Sequence, residues 1–114
     1  MTVRSPITTH ILDLGSGRPA ATVAVALYKV LGDNESLIAK GTTDEDGRIM
    51  NWFDTPIEAG HYRLTFDTGT WYHSRGLDTF FPEVNLDFRV SDPLAHYHVP
   101  LLLNQWGYST YRGS

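Results

Sequence analysis

The chain has 114 residues, of which 41% are hydrophobic and 19% are charged, and its net charge is −4 at neutral pH. This length predicts a single domain, residues 1–114, and the composition excludes a disordered chain. No cluster of Lys and Arg supports a nucleic-acid partner, and the absence of cysteine excludes disulfides and thiolate chemistry. Histidine is therefore the side chain that we expect to titrate near neutral pH.

The first predicted element is a strand in the segment ITTHILDL. The start of the sequence, MTVRSPITTHILDLGSG, lacks the apolar core of a secretion signal, and no run in the sequence is long enough to span a bilayer. The sequence thus predicts a cytoplasmic protein with no membrane partner, unless a cleaved signal precedes the residues given.

A hairpin is predicted next, with TVAVALYKVL and LIAKGTT as its strands and GDNES as the turn between them. The Asp-Gly pair in DEDGR then predicts a tight turn that leads into the segment RIMNWF. In RIMNWF the residues Ile49, Asn51 and Phe53 alternate with Arg48, Met50 and Trp52, and we expect a short strand over residues 48–53.

Two later segments have the alternation of half-buried strands. In HYRLTFDTG the residues Tyr62, Leu64 and Phe66 share one face, and VNLDFRV repeats this pattern. Between them, TWYHSRGLDTFFP lacks alternation, which favours a short helix ending near Gly76. With two more strands at the C-terminus, the count is about eight short strands. Such a pattern predicts an all-β antiparallel sandwich or barrel.

The segment HYH near the C-terminus places two imidazoles on one side of a strand, because His96 and His98 are two residues apart. Pro100 follows on the same side and suggests a strand edge or bulge nearby. His10 lies in the first predicted strand, and Arg48 begins the strand after the Asp-Gly turn. The sequence alone does not bring these residues together.

Simpler interpretations of the same residues stand beside a catalytic one. Most histidines in a small domain are surface or hydrogen-bonded structural residues. A His-x-His pair with a third histidine could instead bind zinc or iron, although no carboxylate or cysteine follows at ligand spacing. Arg48 could be a solvated charge at a strand end. The segment YSTYRGS could be an edge strand without a catalytic role.

The segments THILDLGSGRPA and HYHVPLLLNQWGYSTYRGS, with DGR between them, resemble the paired signatures of the 5-hydroxyisourate hydrolases, the enzymatic branch of the transthyretin family. The similarity extends over the whole chain, and the final Tyr-Arg-Gly-Ser is its most specific element. Gln105 departs from the pattern, because relatives often have proline there. The resemblance implies a sandwich of two four-stranded sheets with one short helix. It also implies a homotetramer, a dimer of dimers with its sites in a channel between the dimers.

The resemblance further implies which residues form the active site. His10, Arg48, His98 and Ser114 would be catalytic, and the substrate would contact His10 and Arg48 as well as Tyr111, Arg112, Gly113 and Ser114. The reaction would be ring opening of the cyclic amide 5-hydroxyisourate by water, giving 2-oxo-4-hydroxy-4-carboxy-5-ureidoimidazoline, with no metal and no cofactor. An imidazole can deprotonate water near neutral pH, and a guanidinium can stabilise the developing oxyanion. Which histidine is the base stays open.

Two functions without catalysis remain as alternatives. A transthyretin-like protein could bind a small aromatic ligand in the same channel without turnover, but an apolar ligand would leave His10, Arg48 and His98 poorly paired. A β-sandwich adhesion or interaction module would have no need to combine these histidines with the terminal tetrapeptide.

Overall fold

Residues 4–113, the part of the chain that this computed structural model describes, form nine strands and one short helix. In chain order they are β1 (Ile7–Asp13), β2 (Arg18–Pro19), β3 (Ala24–Leu31), β4 (Asn34–Thr42), β5 (Arg48–Ile49), β6 (Gly60–Phe66), α1 (Thr68–His73), β7 (Val84–Val90), β8 (Tyr97–Leu103) and β9 (Tyr108–Thr110).

The strands form two sheets, which confirms the predicted sandwich. The first sheet has the order β2-β1-β8-β9, with β5 also paired to β1, and the second sheet has the order β4-β3-β6-β7. The first sheet has five strands and not the expected four, because the two-residue strands β2 and β5 both pair with β1. The pairing of β1 with β8 is parallel, which departs from the antiparallel expectation. These strands are separated by the whole second sheet, so no hairpin constrains their direction.

The core lies between the inner faces of the two sheets. Tyr62, Leu64 and Phe66 on β6 are buried, as their alternation predicted. The inner face of the first sheet contributes Ile7 and Ile11 from β1, and it also contributes Tyr97, Val99, Leu101 and Leu103 from β8. Full burial of such a side chain contributes roughly 1.5–3 kcal/mol to stability. The alternate residues of these strands, among them Thr8, His10 and His98, therefore point to the outer face of the first sheet.

Two segments differ from the predicted boundaries. The β3–β4 turn consists of Gly32 and Asp33 alone, because the ladder continues to the pair Leu31 and Asn34, and Gly32 has the positive φ of 62° that a tight turn needs. The strand expected over residues 48–53 stops at Ile49. Beyond it Met50 accepts a backbone hydrogen bond from Ser5, and the Ser5 hydroxyl accepts from the backbone N–H of Trp52, so this segment follows the chain ahead of β1.

The predicted helix is present and begins slightly earlier than expected. Asp67 caps α1 by accepting a hydrogen bond from the backbone N–H of Thr70 at 3.2 Å. The helix ends at His73, and Gly76 follows with φ of 70° and an N–H that donates to the His73 carbonyl, close to the predicted end at Gly76. Within residues 4–113 no helix has the length and apolar character needed to cross a membrane.

Candidate active site

The predicted site residues of three strands meet on the outer face of the first sheet. In the parallel β1–β8 ladder Thr8 lies opposite His98, and in the β1–β5 ladder His10 lies opposite Arg48. Residues 7, 9 and 11 of β1 are buried toward the core, so Thr8 and His10 share the other face. The topology therefore brings together His10, Arg48 and His98, which the sequence alone could not connect.

The Asp-Gly turn fixes the position of Arg48. Gly47 has φ of 74°, and a Cβ atom on it would lie 2.5 Å from the carbonyl oxygen of Ile11. Only glycine therefore permits this approach to β1. The Asp44 carboxylate accepts the backbone N–H of Arg48 at 3.0 Å, and Gly47 accepts the N–H of Ile11 at 2.8 Å. None of the ion pairs found within residues 4–113 includes the Arg48 guanidinium, which leaves it available to a ligand.

The Thr8 hydroxyl connects the two histidines of the HYH segment. Its oxygen lies 2.7 Å from Nδ1 of His98 and 3.0 Å from Nε2 of His96. The two imidazole rings are nearly parallel, with an interplanar angle of 18° and centroids 6.4 Å apart. Thr8 itself is completely buried. A protected hydroxyl thus joins both rings on the side away from solvent.

A concave pocket of about 220 Å³ opens beside these rings. It is lined by Arg4, Arg48, Met50, His96 and His98. A larger groove of about 670 Å³ lies on the second sheet, but no histidine and no arginine lines it. The volume of a pocket therefore does not identify the candidate active site, whereas the clustering of imidazole and guanidinium groups does.

The site favours neutral imidazoles. The pKa of His98 is lowered, first by burial and then by repulsion from His96, His10, Arg48 and Arg4. Burial followed by the Arg48 charge lowers the pKa of His10, although the Asp46 carbonyl and the carboxylates of Asp44 and Asp46 oppose the shift. The pKa of His96 is lowered by burial and by the charges of Arg4 and Arg112. All three rings are therefore mainly unprotonated at pH 7 and able to accept a proton.

The C-terminal segment returns to His98. Gly113 forms a bridge with His98, and its N–H donates to the His98 carbonyl at 2.8 Å. The Arg112 guanidinium lies 4.4 Å from the centre of the Tyr97 ring, so it stacks on a residue of the opposite strand face. Tyr111 is 58% exposed. Ser114 lies outside the described residues.

Several residues of the site were not singled out as functional from the sequence. The spacing of His96 and His98 predicted that they share a face, but their connection through Thr8 depends on the β1–β8 register. Arg4 and Met50 enter the pocket from segments outside the regular strands. The segment of Arg4 has no motif or period that could have indicated this, whereas the alternation in RIMNWF puts Met50 on the same face as Arg48.

The metal interpretation finds no ligand cluster in the part of the chain that the structure describes. Residues 4–113 contain no group of three His, Asp or Glu side chains arranged to hold an ion. Thr8 bonds to Nε2 of His96 and to Nδ1 of His98, so each of these two nitrogens already has a hydrogen-bond partner.

Comparison with known proteins identifies the family. Residues 7–113 match the HIUase/Transthyretin family. The chain belongs to this family. It is 47% identical over 109 residues to the 5-hydroxyisourate hydrolase of Salmonella dublin, covering 95% of this chain and 80% of that one.

Solved structures of the family share the fold. The 5-hydroxyisourate hydrolase of Klebsiella pneumoniae superposes with a TM-score of 0.84 at 39% identity, covering 95% of this chain and 98% of that one. The transthyretin of Sparus aurata superposes with a TM-score of 0.87 at 33% identity, covering 96% and 97%. The two scores are nearly equal, so the backbone does not separate the two branches of the family, and only the side chains of the site can.

Proposed function

We propose that this protein hydrolyses 5-hydroxyisourate, opening the six-membered ring to give 2-oxo-4-hydroxy-4-carboxy-5-ureidoimidazoline. The main support is the meeting of His10, Arg48 and His98 on one outer face. The names of the Salmonella and Klebsiella relatives supply the substrate. The chemistry needs a base, an oxyanion stabiliser and water, and it requires no cofactor.

The histidines activate the attacking water. A neutral imidazole, either His98 or His10, takes a proton from water as the water oxygen bonds to the ring carbonyl carbon. The lowered pKa values keep both rings in the accepting form at neutral pH. When the C–N bond breaks, the resulting imidazolium returns its proton to the departing nitrogen. The histidine is therefore regenerated in each turnover.

Arg48 is the stabiliser of negative charge. Its position opposite His10 in the β1–β5 ladder places a permanent cation next to one candidate base. A guanidinium offers paired donors to a carbonyl oxygen, and this interaction strengthens as the tetrahedral intermediate forms. Arg4 adds a second cation to the same pocket. We assign Arg48 to the oxyanion because the described ion pairs leave its charge without a carboxylate partner.

The C-terminal residues 111–114 and a second subunit would complete the active site. Tyr111, Arg112, Gly113 and Ser114 would contact substrate, with Gly113 already adjacent to His98. In a dimer of dimers, the open pocket would be closed by the same face of another subunit. The half-buried Leu12 and Leu102, paired across β1 and β8, continue this face with apolar surface suitable for association.

Ligand binding without turnover is the second candidate, because the Sparus aurata transthyretin has the same fold. The clustered imidazole and guanidinium groups favour hydrolysis, since a channel for an apolar ligand would leave them desolvated. The ultraviolet absorbance of freshly generated 5-hydroxyisourate distinguishes the two functions. Hydrolysis predicts decay many times faster with catalytic amounts of protein than in buffer. A decay rate unaffected by the protein, together with stoichiometric binding of a small aromatic ligand in equilibrium dialysis, would favour ligand binding without turnover.

A further inference from the structure

The buried Thr8 hydroxyl has two nitrogen neighbours and only one proton to donate. It lies between Nδ1 of His98 and Nε2 of His96, and no other polar group of residues 4–113 bonds to it. When the hydroxyl donates to one ring, the other ring must present an N–H to its oxygen. The tautomers of the two histidines are therefore linked.

Base catalysis by His98 selects one of the two arrangements. A proton from water can arrive only at Nε2, because Nδ1 is occupied by Thr8. After protonation both ring nitrogens of His98 are donors, so Nδ1–H donates to the Thr8 oxygen. The Thr8 hydroxyl must then donate elsewhere, and Nε2 of His96 is the acceptor within reach.

We propose that Thr8 and His96 are positioning residues that hold His98 in the Nδ1–H tautomer, with Nε2 free to accept the proton of the attacking water. This inference rests on the proposed hydrolysis for its catalytic consequence, but the tautomer exists without substrate. The chain runs from His98 Nδ1–H to the Thr8 oxygen and from the Thr8 hydroxyl to His96 Nε2. No net proton leaves this chain, because the proton taken at Nε2 stays on His98 until the leaving nitrogen receives it.

The surrounding charges keep His96 neutral, so that its Nε2 can accept a hydrogen bond. Burial and the charges of Arg4 and Arg112 lower the pKa of His96, and burial with the charges of Arg48 and Arg4 and the neighbouring His96 and His10 lowers the pKa of His98. If His96 were protonated, its Nε2–H would donate to Thr8, the hydroxyl would turn toward His98, and Nε2 of His98 would hold the proton. Protonation of His96 would thus switch off the base.

Nitrogen NMR of the histidine-labelled protein tests the tautomer without substrate. In the wild type at pH 7.5, we expect His98 to show a protonated Nδ1 and a bare Nε2. In His96→Ala the hydroxyl can donate only to His98, so the proton should move to Nε2. A wild-type Nε2–H tautomer, or a tautomer unchanged by His96→Ala, would overturn the inference. Failure of the proposed hydrolysis would leave this readout unaffected.

Kinetics test the catalytic consequence. Thr8→Val removes the hydroxyl at nearly constant shape and should lower kcat by about tenfold to a hundredfold with little change in KM. Thr8→Ser should restore most of the loss. His96→Ala should lower kcat similarly, and combining it with Thr8→Val should cost little more, because both changes break one chain.

Thr9→Val is the matched control. Thr9 is equally buried on the same strand, but its hydroxyl donates to the backbone carbonyl of Val99. The melting temperature of the Thr9→Val protein reports the loss of stability caused by removing a buried hydroxyl. Its kcat should remain near that of the wild type. A Thr8→Val protein with kcat within twofold of the Thr9→Val protein would refute the positioning role.

Discussion

Gly113 lies directly against the imidazole of His98. Its N–H donates to the His98 carbonyl at 2.8 Å, and a Cβ atom at this position would come 2.6 Å from Cδ2 of the ring and 3.3 Å from Pro100. The glycine of the Tyr-Arg-Gly-Ser segment therefore permits a close approach of backbone to the candidate base. A side chain there has to displace either the ring or the tail.

Gly113→Ala should lower activity without unfolding the protein. The methyl group would push the His98 ring away from its position against Thr8, and a shift of about 1 Å can cost a hundredfold in rate. The kcat/KM for 5-hydroxyisourate and the melting temperature measure the two effects separately. Gly107→Ala is the matched control, because no atom lies within 4 Å of the added Cβ. Equal activity of the two variants would show that the approach of Gly113 has no catalytic importance.

Arg48→Lys should reduce kcat/KM by about tenfold to a hundredfold. Lysine keeps the charge but loses the planar pair of donors, so stabilisation of the oxyanion weakens. Arg63→Lys makes the same chemical change on the second sheet, where the guanidinium pairs with Glu35 and Asp87. We expect its turnover to be unchanged. A fully active Arg48→Lys enzyme would limit Arg48 to a general electrostatic role.

Acid should reduce both activity and stability below pH 6.5. His10, His96 and His98 have pKa values lowered from the ordinary 6.5, so the midpoint of the acid limb of kcat/KM should lie below that value. Between 6.5 and the lowered pKa values the unfolded chain binds more protons than the folded one, and the free energy of unfolding decreases as pH falls. Kinetics and thermal melts between pH 5 and pH 8 test both. An acid midpoint above 6.5 would contradict the assignment of neutral histidines.

The protein should be a tetramer in solution. The pocket beside His98 is open on the single chain, and the half-buried Leu12 and Leu102 continue the same face. Multi-angle light scattering at micromolar concentration measures the mass directly. A monomer that still turns over substrate would show that the site does not need a second subunit.

The sequence predicted the strands that have one face against the core and the other toward solvent. The alternation of Tyr62, Leu64 and Phe66 fixes the inner face of β6, and all three are buried. The segment after Ile49 was assigned wrongly because its hydrogen bonds go to Ser5, a long-range partner that local alternation cannot indicate. The parallel β1–β8 pairing likewise depends on contacts between distant parts of the chain.

The candidate site was predictable only as separate pieces. Residue spacing placed His96 beside His98, and the Asp-Gly turn placed Arg48 at the start of a strand. The link through Thr8 requires the β1–β8 register, and the opposition of His10 and Arg48 requires the β1–β5 register. Neither register is encoded in local periodicity. The assignment of the active-site residues therefore depended on the resemblance to the family, because residue patterns alone left it open.

His98→Asn tests most directly whether this outer face hydrolyses 5-hydroxyisourate with His98 as the proton acceptor. The asparagine amide can still donate to Thr8 in place of Nδ1, so the fold and the tetramer should persist while the accepting nitrogen is lost. The decisive measurement is kcat/KM from the absorbance decay of freshly generated substrate, with His73→Asn on the exposed end of α1 as the matched control. We predict a loss of about a hundredfold or more for His98→Asn and wild-type activity for His73→Asn. A His98→Asn protein that turns over substrate within a few-fold of the wild type would show that His98 is not the proton acceptor.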